Sequence, residues 1–120
     1  MAKKIQSAPT GTRAGGQRLW SSLLEEYDLE EHEMALLVEA VRTVDLLDAL
    51  DKSVRADGAL HDSPQGLRAH PAAVEARQQR IALARLLAAL RLPAGEEEAG
   101  ETRRPQRRGV RGVYALRGVK

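Results

Sequence analysis

The chain has no cysteine and no phenylalanine, and its aromatic residues are Trp20, Tyr27 and Tyr114 alone. Without cysteine, neither a disulfide nor a thiolate zinc site can form. Without large rings, any core must be built from leucine, alanine and valine, which bury little area per side chain. A chain of 120 residues supports one small domain at most, so a solitary copy with such a core is expected to be only marginally stable. An oligomer is the expectation from the outset. No uninterrupted apolar run exceeds five residues, too short for a membrane-spanning helix or the apolar core of a secretory signal. A cytoplasmic protein without membrane contact is expected.

Signatures of catalysis are also missing. His32 and Glu33 begin "HEMAL", but a zinc-protease HExxH pattern needs a second imidazole where Leu36 stands. His61 and His70 stand in or beside a connector, far from His32, and without cysteine they make a poor metal set. "GTRAGG" at 11–16 has no Gly-Lys-Ser/Thr ending and no preceding strand, so a phosphate-binding loop is not expected. No serine elbow occurs. The carboxylates are expected to spread over solvated helix flanks. These absences predict a protein that is not an enzyme, with no catalytic residue, cofactor or metal.

The net charge of +2 hides a strong segregation. Residues 1–24 hold Lys3, Lys4, Arg13 and Arg18 with no acid. Residues 25–57 hold eleven acids against Arg42, Lys52 and Arg55, a balance of −8. Residues 58–92 return to +3, and so does the tail 93–120, with seven basic residues against four glutamates. Basic ends around an acidic middle suggest ends that meet a polyanion and a middle that faces elsewhere.

Periodicity supplies the fold class. Residues 1–15, with Pro9, Gly11 and Gly15, read as a flexible basic arm. Leu19, Trp20, Leu23, Leu24 and Tyr27 then share one helical face, from near Gln17 to about Tyr27. Asp28 with Glu31 three residues later matches a capping box, opening a long helix to Asp57 that Gly58 can stop. At 1.5 Å per residue it runs roughly 40 Å. Its apolar residues occupy more than one face. Met34, Leu37, Val38, Val41 and Val44 lie on one; Leu46, Leu47, Leu50 and Val54 lie on another, joined by Leu36 and Ala40. A helix apolar on two sides is normally buried on two sides. Neighbouring helices can cover one face, and a second subunit is expected on the other, with Leu36, Leu47, Leu50 and Val54 contributing to the oligomer interface. Residues 58–69, with Gly58, Pro64 and Gly66, form a connector with room for a brief extended piece. A third helix opens at Pro71 and continues to about Leu92. The expectation is an all-α fold: a short helix, then a long helix and a third helix in an antiparallel hairpin. The domain reading is an arm over 1–15, a helical oligomerisation domain over 16–93 and a disordered basic tail over 94–120.

The third helix carries Ala72, Ala76, Leu83, Leu86, Leu87 and Leu90 in one broad stripe. Arg77, Arg80 and Arg91 lie roughly opposite, with Arg85 to one side near Val74 and Ile81. These arginines read first as a solvated face, with pairing to the acidic middle helix and a direct nucleic-acid contact also open. A helix-turn-helix built on "YDLE" is rejected, because Glu30, Glu31 and Glu33 would face phosphates; as first-turn acids they stabilise the helix end instead. The tail repeats Arg-Gly-Val at 108–110, 111–113 and 117–119. Such a segment can follow a phosphate backbone without reading bases, or it can serve as a solubilising or partner-docking tail.

Two long stretches, "GQRLWSSLLEEYDLEEHEMALLVEAVRTVDLLDALDKSV" and "HPAAVEARQQRIALARLLAALRLP", joined by a glycine-containing connector, resemble the small terminase subunit of tailed bacteriophages. The likeness covers roughly residues 15–93 and rests on helical spacing with Trp20, His70-Pro71 and Arg77; the Arg-Gly-Val tail lies outside it. The resemblance implies a helical subunit that assembles into a ring, binds double-stranded viral DNA near the packaging start, and recruits or regulates the large terminase subunit that holds the ATPase and nuclease. It implies a place in the host cytoplasm during phage assembly. No family motif marks DNA contacts here, so those rest on charge: Lys3, Lys4, Arg13 and Arg18 at one end, Arg103, Arg104, Arg107, Arg108, Arg111 and Arg117 at the other. Two other readings stay open. One is an oligomeric adaptor that docks its tail on protein without touching DNA. The other is a small helical DNA-binding regulator.

Overall fold

The structure is a computed structural model that describes residues 4–93 and the short strand Gln106–Arg107. Three helices dominate: α1 (Ala14–Glu26), α2 (Glu31–Asp57) and α3 (Pro71–Leu90). Four short strands accompany them. β1 (Tyr27–Asp28) pairs antiparallel with β4 (Gln106–Arg107), and β2 (Leu60–Ser63) pairs antiparallel with β3 (Gly66–Ala69). The chain is therefore mainly helical, with two small antiparallel pairs that an all-α reading did not contain.

The helices follow from local sequence, with informative shifts at their ends. α1 begins at Ala14 rather than near Gln17, because its N-terminal amides find a partner outside the helix. Asp45, on α2, accepts from the Arg13 amide at 2.6 Å and the Gly16 amide at 2.8 Å. Its own N-cap residue, Arg13, makes no capping side-chain bond. The carboxylate of a distant helix thus does the work that Ser or Asp usually does from within the chain.

The capping box of α2 sits two residues later than the spacing suggested. Tyr27 closes α1, its amide donating to the Leu23 carbonyl, and takes extended φ/ψ angles. Asp28 continues that extension within β1 and cannot serve as the cap. Glu30 takes the role: its amide donates to Glu33 Oε1 at 2.6 Å, while its side chain accepts from the Glu33 amide. Leu29 and Met34 flank this box and both pack on the core, the positions of a hydrophobic staple. "DLEEHE" offers two boxes, and although Asp28 is the better N-cap residue by type, the extended pair decides for Glu30.

Gly58 ends α2 at φ 89°, its amide donating to the Val54 carbonyl. The connector then folds into the β2–β3 hairpin, turned at Pro64–Gln65 with Gly66 at φ 105°; a positive φ of this kind is what glycine tolerates. Ser63 Oγ donates to the Gly66 carbonyl at 2.7 Å and accepts from the Gln65 amide at 3.2 Å. α3 opens on His70, whose Nδ1 accepts from the Ala72 amide at 2.9 Å, with Pro71 at the first helical position. It stops at Leu90, two residues short of the expected end, where Arg91 turns left-handed at φ 54°.

The core lies at one end of the α2–α3 hairpin. Trp20, Leu23, Leu24 and Tyr27 pack with Leu37, Val41 and Leu90, the last three fully buried. Burying a side chain of that size contributes roughly 1.5–3 kcal/mol. Ile5 and Ala8 join this cluster, and Trp20 Nε1 donates to the Gln6 carbonyl at 2.7 Å. Residues 4–13 thus run against α1, where a free arm was expected. The other end of the hairpin is thin. Between Val44 and Leu83 the buried residues are Ala72 and Ala76 alone, small side chains that let two helices approach but enclose little.

Candidate nucleic-acid interface

The basic residues of the N-terminal segment divide between the start of α1 and its far end, where Lys4 lies near Leu24, Asp28 and Glu31. Arg13 and Arg18 are exposed at the start, and Lys4 is exposed beside a cleft it shares with Ile5, Gln6, Leu24, Asp28, Leu29, Glu31 and Met34. Their scaffold is tightly specified. Thr12 Oγ1 and the Thr12 amide both reach the Pro9 carbonyl, at 2.6 and 3.1 Å. Asp45 holds the first turn of α1. The following glycines are buried against α2, where a Cβ on Gly15 would lie 2.6 Å from Asp48 Oδ2 and one on Gly16 2.8 Å from Asp45 Oδ2. The glycine pair of "GTRAGG" is therefore a point of close helix approach.

The charges along α1 are strongly polarised. Arg13 and Arg18 mark one end; Glu25 and Glu26 mark the other, followed by Asp28, Glu30 and Glu31. Along the axis of α1 the outermost of these charges, Arg13 and Glu26, lie about 20 Å apart. Two acids do more than solvate a flank, contrary to the sequence-based expectation. Glu33 is buried at 4 % exposure in the capping box, and Asp45 anchors α1.

Among the C-terminal candidates, Arg107 stands opposite Tyr27 in β4, with Gln106 opposite Asp28. This pairing is a short ordered piece within a tail expected to be mostly disordered. Lys3, Arg103, Arg104, Arg108, Arg111 and Arg117 lie outside the described residues. The tail also leaves the body beside the same tyrosine, whose hydroxyl donates to the Pro93 carbonyl at 3.1 Å.

On α3, Arg77, Arg80 and Arg85 are exposed and enter no ion pair among the described residues. On α2, Arg42 pairs with Glu39 and Arg55 with Asp51, and Asp57 at its end meets His70, at 2.7–2.9 Å. The first two are local and exposed, worth little in stability. His61 packs edge-on against His70 with ring centres 5.8 Å apart. No group of three or more potential metal ligands occurs among the described residues, and no described helix is long and apolar enough to cross a membrane.

The candidate interface leucines divide. Leu36 packs partly on the core, while Leu47, Leu50 and Val54 are half-buried on the thin end of the hairpin. More exposed still are Leu46 at 42 %, Val74 at 40 % and Ile81 at 45 %. Val74 and Ile81 were missed as interface candidates, although their seven-residue spacing puts them on one face of α3. The hairpin tip adds Leu60 and Leu67, also exposed, on the same face of the β2–β3 pair by register.

No family model matches the chain, and neither the curated proteins nor the solved structures contain a significant match to it.

Proposed function

We propose that the protein is a non-catalytic DNA-packaging subunit of the small-terminase type, which assembles as a ring of identical copies, holds double-stranded DNA through its basic segments, and recruits or regulates a large motor subunit. The observation that carries this reading is the uncovered apolar surface on the thin end of the hairpin, where Leu46, Val74 and Ile81 are each at least 40 % exposed. Scattered single apolar residues need no explanation, but a two-helix rod whose faces stay apolar beyond its core favours a neighbouring copy. The exposed basic residues Arg13 and Arg18 on the N-terminal half of α1 would then recur once per subunit, so that weak phosphate contacts add through avidity. The resemblance of residues 15–93 to small terminases supplies the viral DNA, the ring, the large subunit and the host cytoplasm.

Native mass measurement together with a salt titration of DNA binding tests the proposal. An assembly larger than a dimer is expected, and Val74→Asp/Ile81→Asp lowers its mass while helicity stays. Changing Arg103, Arg104, Arg107 and Arg108 to Gln reduces the salt slope of DNA binding by about 3 to 4, near one for each phosphate that is no longer neutralised. A thermally robust monomer at micromolar concentration refutes the assembly. An unchanged slope removes the tail from DNA and favours the adaptor reading.

A further inference from the structure

The uncovered apolar residues of the hairpin lie on two separate faces. On α3, Val74, Ile81 and Ala88 are exposed and recur every seven residues, roughly opposite the buried Ala72, Ala76 and Leu90. On α2, Leu46 is exposed with Ala35 and Ala49, roughly opposite the buried Leu37, Ala40 and Val41. Each helix thus buries one side and leaves the other bare. The two bare strips point away from each other, and neither can cover the other within one copy. They nevertheless stand at one height. His70 meets Asp57 at the closed end of the hairpin, Nε2 to Oδ2 at 2.9 Å. Leu46 lies eleven residues before Asp57 and Ile81 eleven after His70, so each is about 16 Å from that end.

Charge selects how such strips can meet. Arg77 and Arg85 flank Val74 and Ile81, are exposed, and enter no ion pair among the described residues. α3 as a whole holds three arginines against Glu75, whereas α2 holds seven acids against three bases. Two α3 backs packed together would set these arginines against their own copies, and like charges brought together across an interface cost affinity. An α3 back against the outer flank of α2 instead brings them toward Glu39. That carboxylate is exposed and lies 18 residues before Asp57, within about 5 Å of the height of Arg85. Two different surfaces that meet make a heterologous contact, which closes into a ring or runs on as a filament. Equal heights favour closure, since successive copies need no shift along the hairpin axis.

We propose that the back of α3, with Val74 and Ile81 between Arg77 and Arg85, seats on the outer flank of α2 in the next copy, around Leu46. The contact is head-to-tail, and every copy gives one face and receives the other. The inference rests on the reading of the protein as an assembly of identical copies, and it adds which two surfaces meet. α1 packs on the other side of α2, against Leu37 and Val41, so Arg13 and Arg18 stay clear of this contact.

The absence of cysteine allows single thiols to be placed at Leu46→Cys and Ile81→Cys. Full-length chains carrying one or the other are co-expressed and treated with a short bis-maleimide. Abundant cross-linked dimer is expected from the mixture and only traces from either variant alone. A chain carrying both thiols should cross-link into a ladder that ends at the native mass. Arg85→Glu should raise the concentration at the assembly midpoint about two- to fivefold, the effect of an exposed ion pair. Glu39→Lys should do the same, and the two changes together should return the midpoint close to that of the parent. Circular dichroism checks that helicity is unchanged throughout. Cross-linking of Ile81→Cys to itself as readily as to Leu46→Cys, or tighter assembly in Arg85→Glu, overturns this pairing of surfaces while the assembly stands. A monomer at micromolar concentration overturns the assembly and the pairing together.

Discussion

Removal of the Asp45 carboxylate should loosen α1 from the rest of the molecule. Asp45 accepts two backbone amides across 32 and 29 residues of sequence, and α1 has no capping side chain of its own. In Asp45→Ala both amides lose their partner. The Arg13 amide is exposed and recovers water, whereas Gly16 is buried, so most of the penalty falls there. Loss of a good cap costs about 0.5–2 kcal/mol, and a hydrogen bond to a charged group is worth about 1.5–3 kcal/mol. A total near 2–3 kcal/mol is expected after discounting the exposed bond. For a folded body of this size that lowers Tm by roughly 10–20 °C. Asp45→Asn keeps one acceptor oxygen in place and should lose about 1 kcal/mol. Asp48→Ala, one turn along the same helix and exposed, should stay within about 0.5 kcal/mol of the parent. Urea unfolding followed by circular dichroism, at one fixed protein concentration because assembly contributes to stability, measures all three. If Asp45→Ala unfolds with the parent, or if Asn is as damaging as Ala, the cross-helix cap is not what holds α1.

Two further changes probe the packing and the second cap. Gly16→Ala would ordinarily gain up to about 1 kcal/mol of helix propensity, but its Cβ would meet Thr12 Cγ2 at 2.7 Å and the Asp45 oxygens at 2.8 and 3.0 Å; overpacking of about 1–3 kcal/mol should win, and a raised urea midpoint would contradict the close approach. His70→Ala removes the acceptor for the Ala72 amide and the 2.9 Å contact with Asp57, so it should cost about 1 kcal/mol. His70→Asn should recover much of that loss, and calorimetry showing no difference between the two would argue against capping through Nδ1.

The three helices, their order and the glycine stop at Gly58 were legible in the chain because each depends on neighbours three or four residues away. Leu37, Val41 and Leu90 fall on apolar stripes that a helical wheel reveals, and all three are fully buried. Lys4, Arg13 and Arg18 are exposed, as charged side chains ordinarily are. The anchoring of residues 4–13 was not legible: a segment rich in glycine and polar residues has no period, and the Trp20 indole that holds it is identifiable only once the two are adjacent.

What composition and spacing determined by themselves is therefore the mainly helical class, the positions of the long helices and the separation of basic ends from an acidic middle, since local periodicity and covalent order specify these. Tertiary structure decided which of two capping boxes opens α2, which carboxylate closes the start of α1, and where the tail returns. Each of those contacts joins residues far apart in the chain, Tyr27 to Pro93 across 66 positions and Asp45 to Arg13 across 32. A two-residue strand or a lone carboxylate carries no local signature, because its partner is selected by the folded geometry and not by its neighbours.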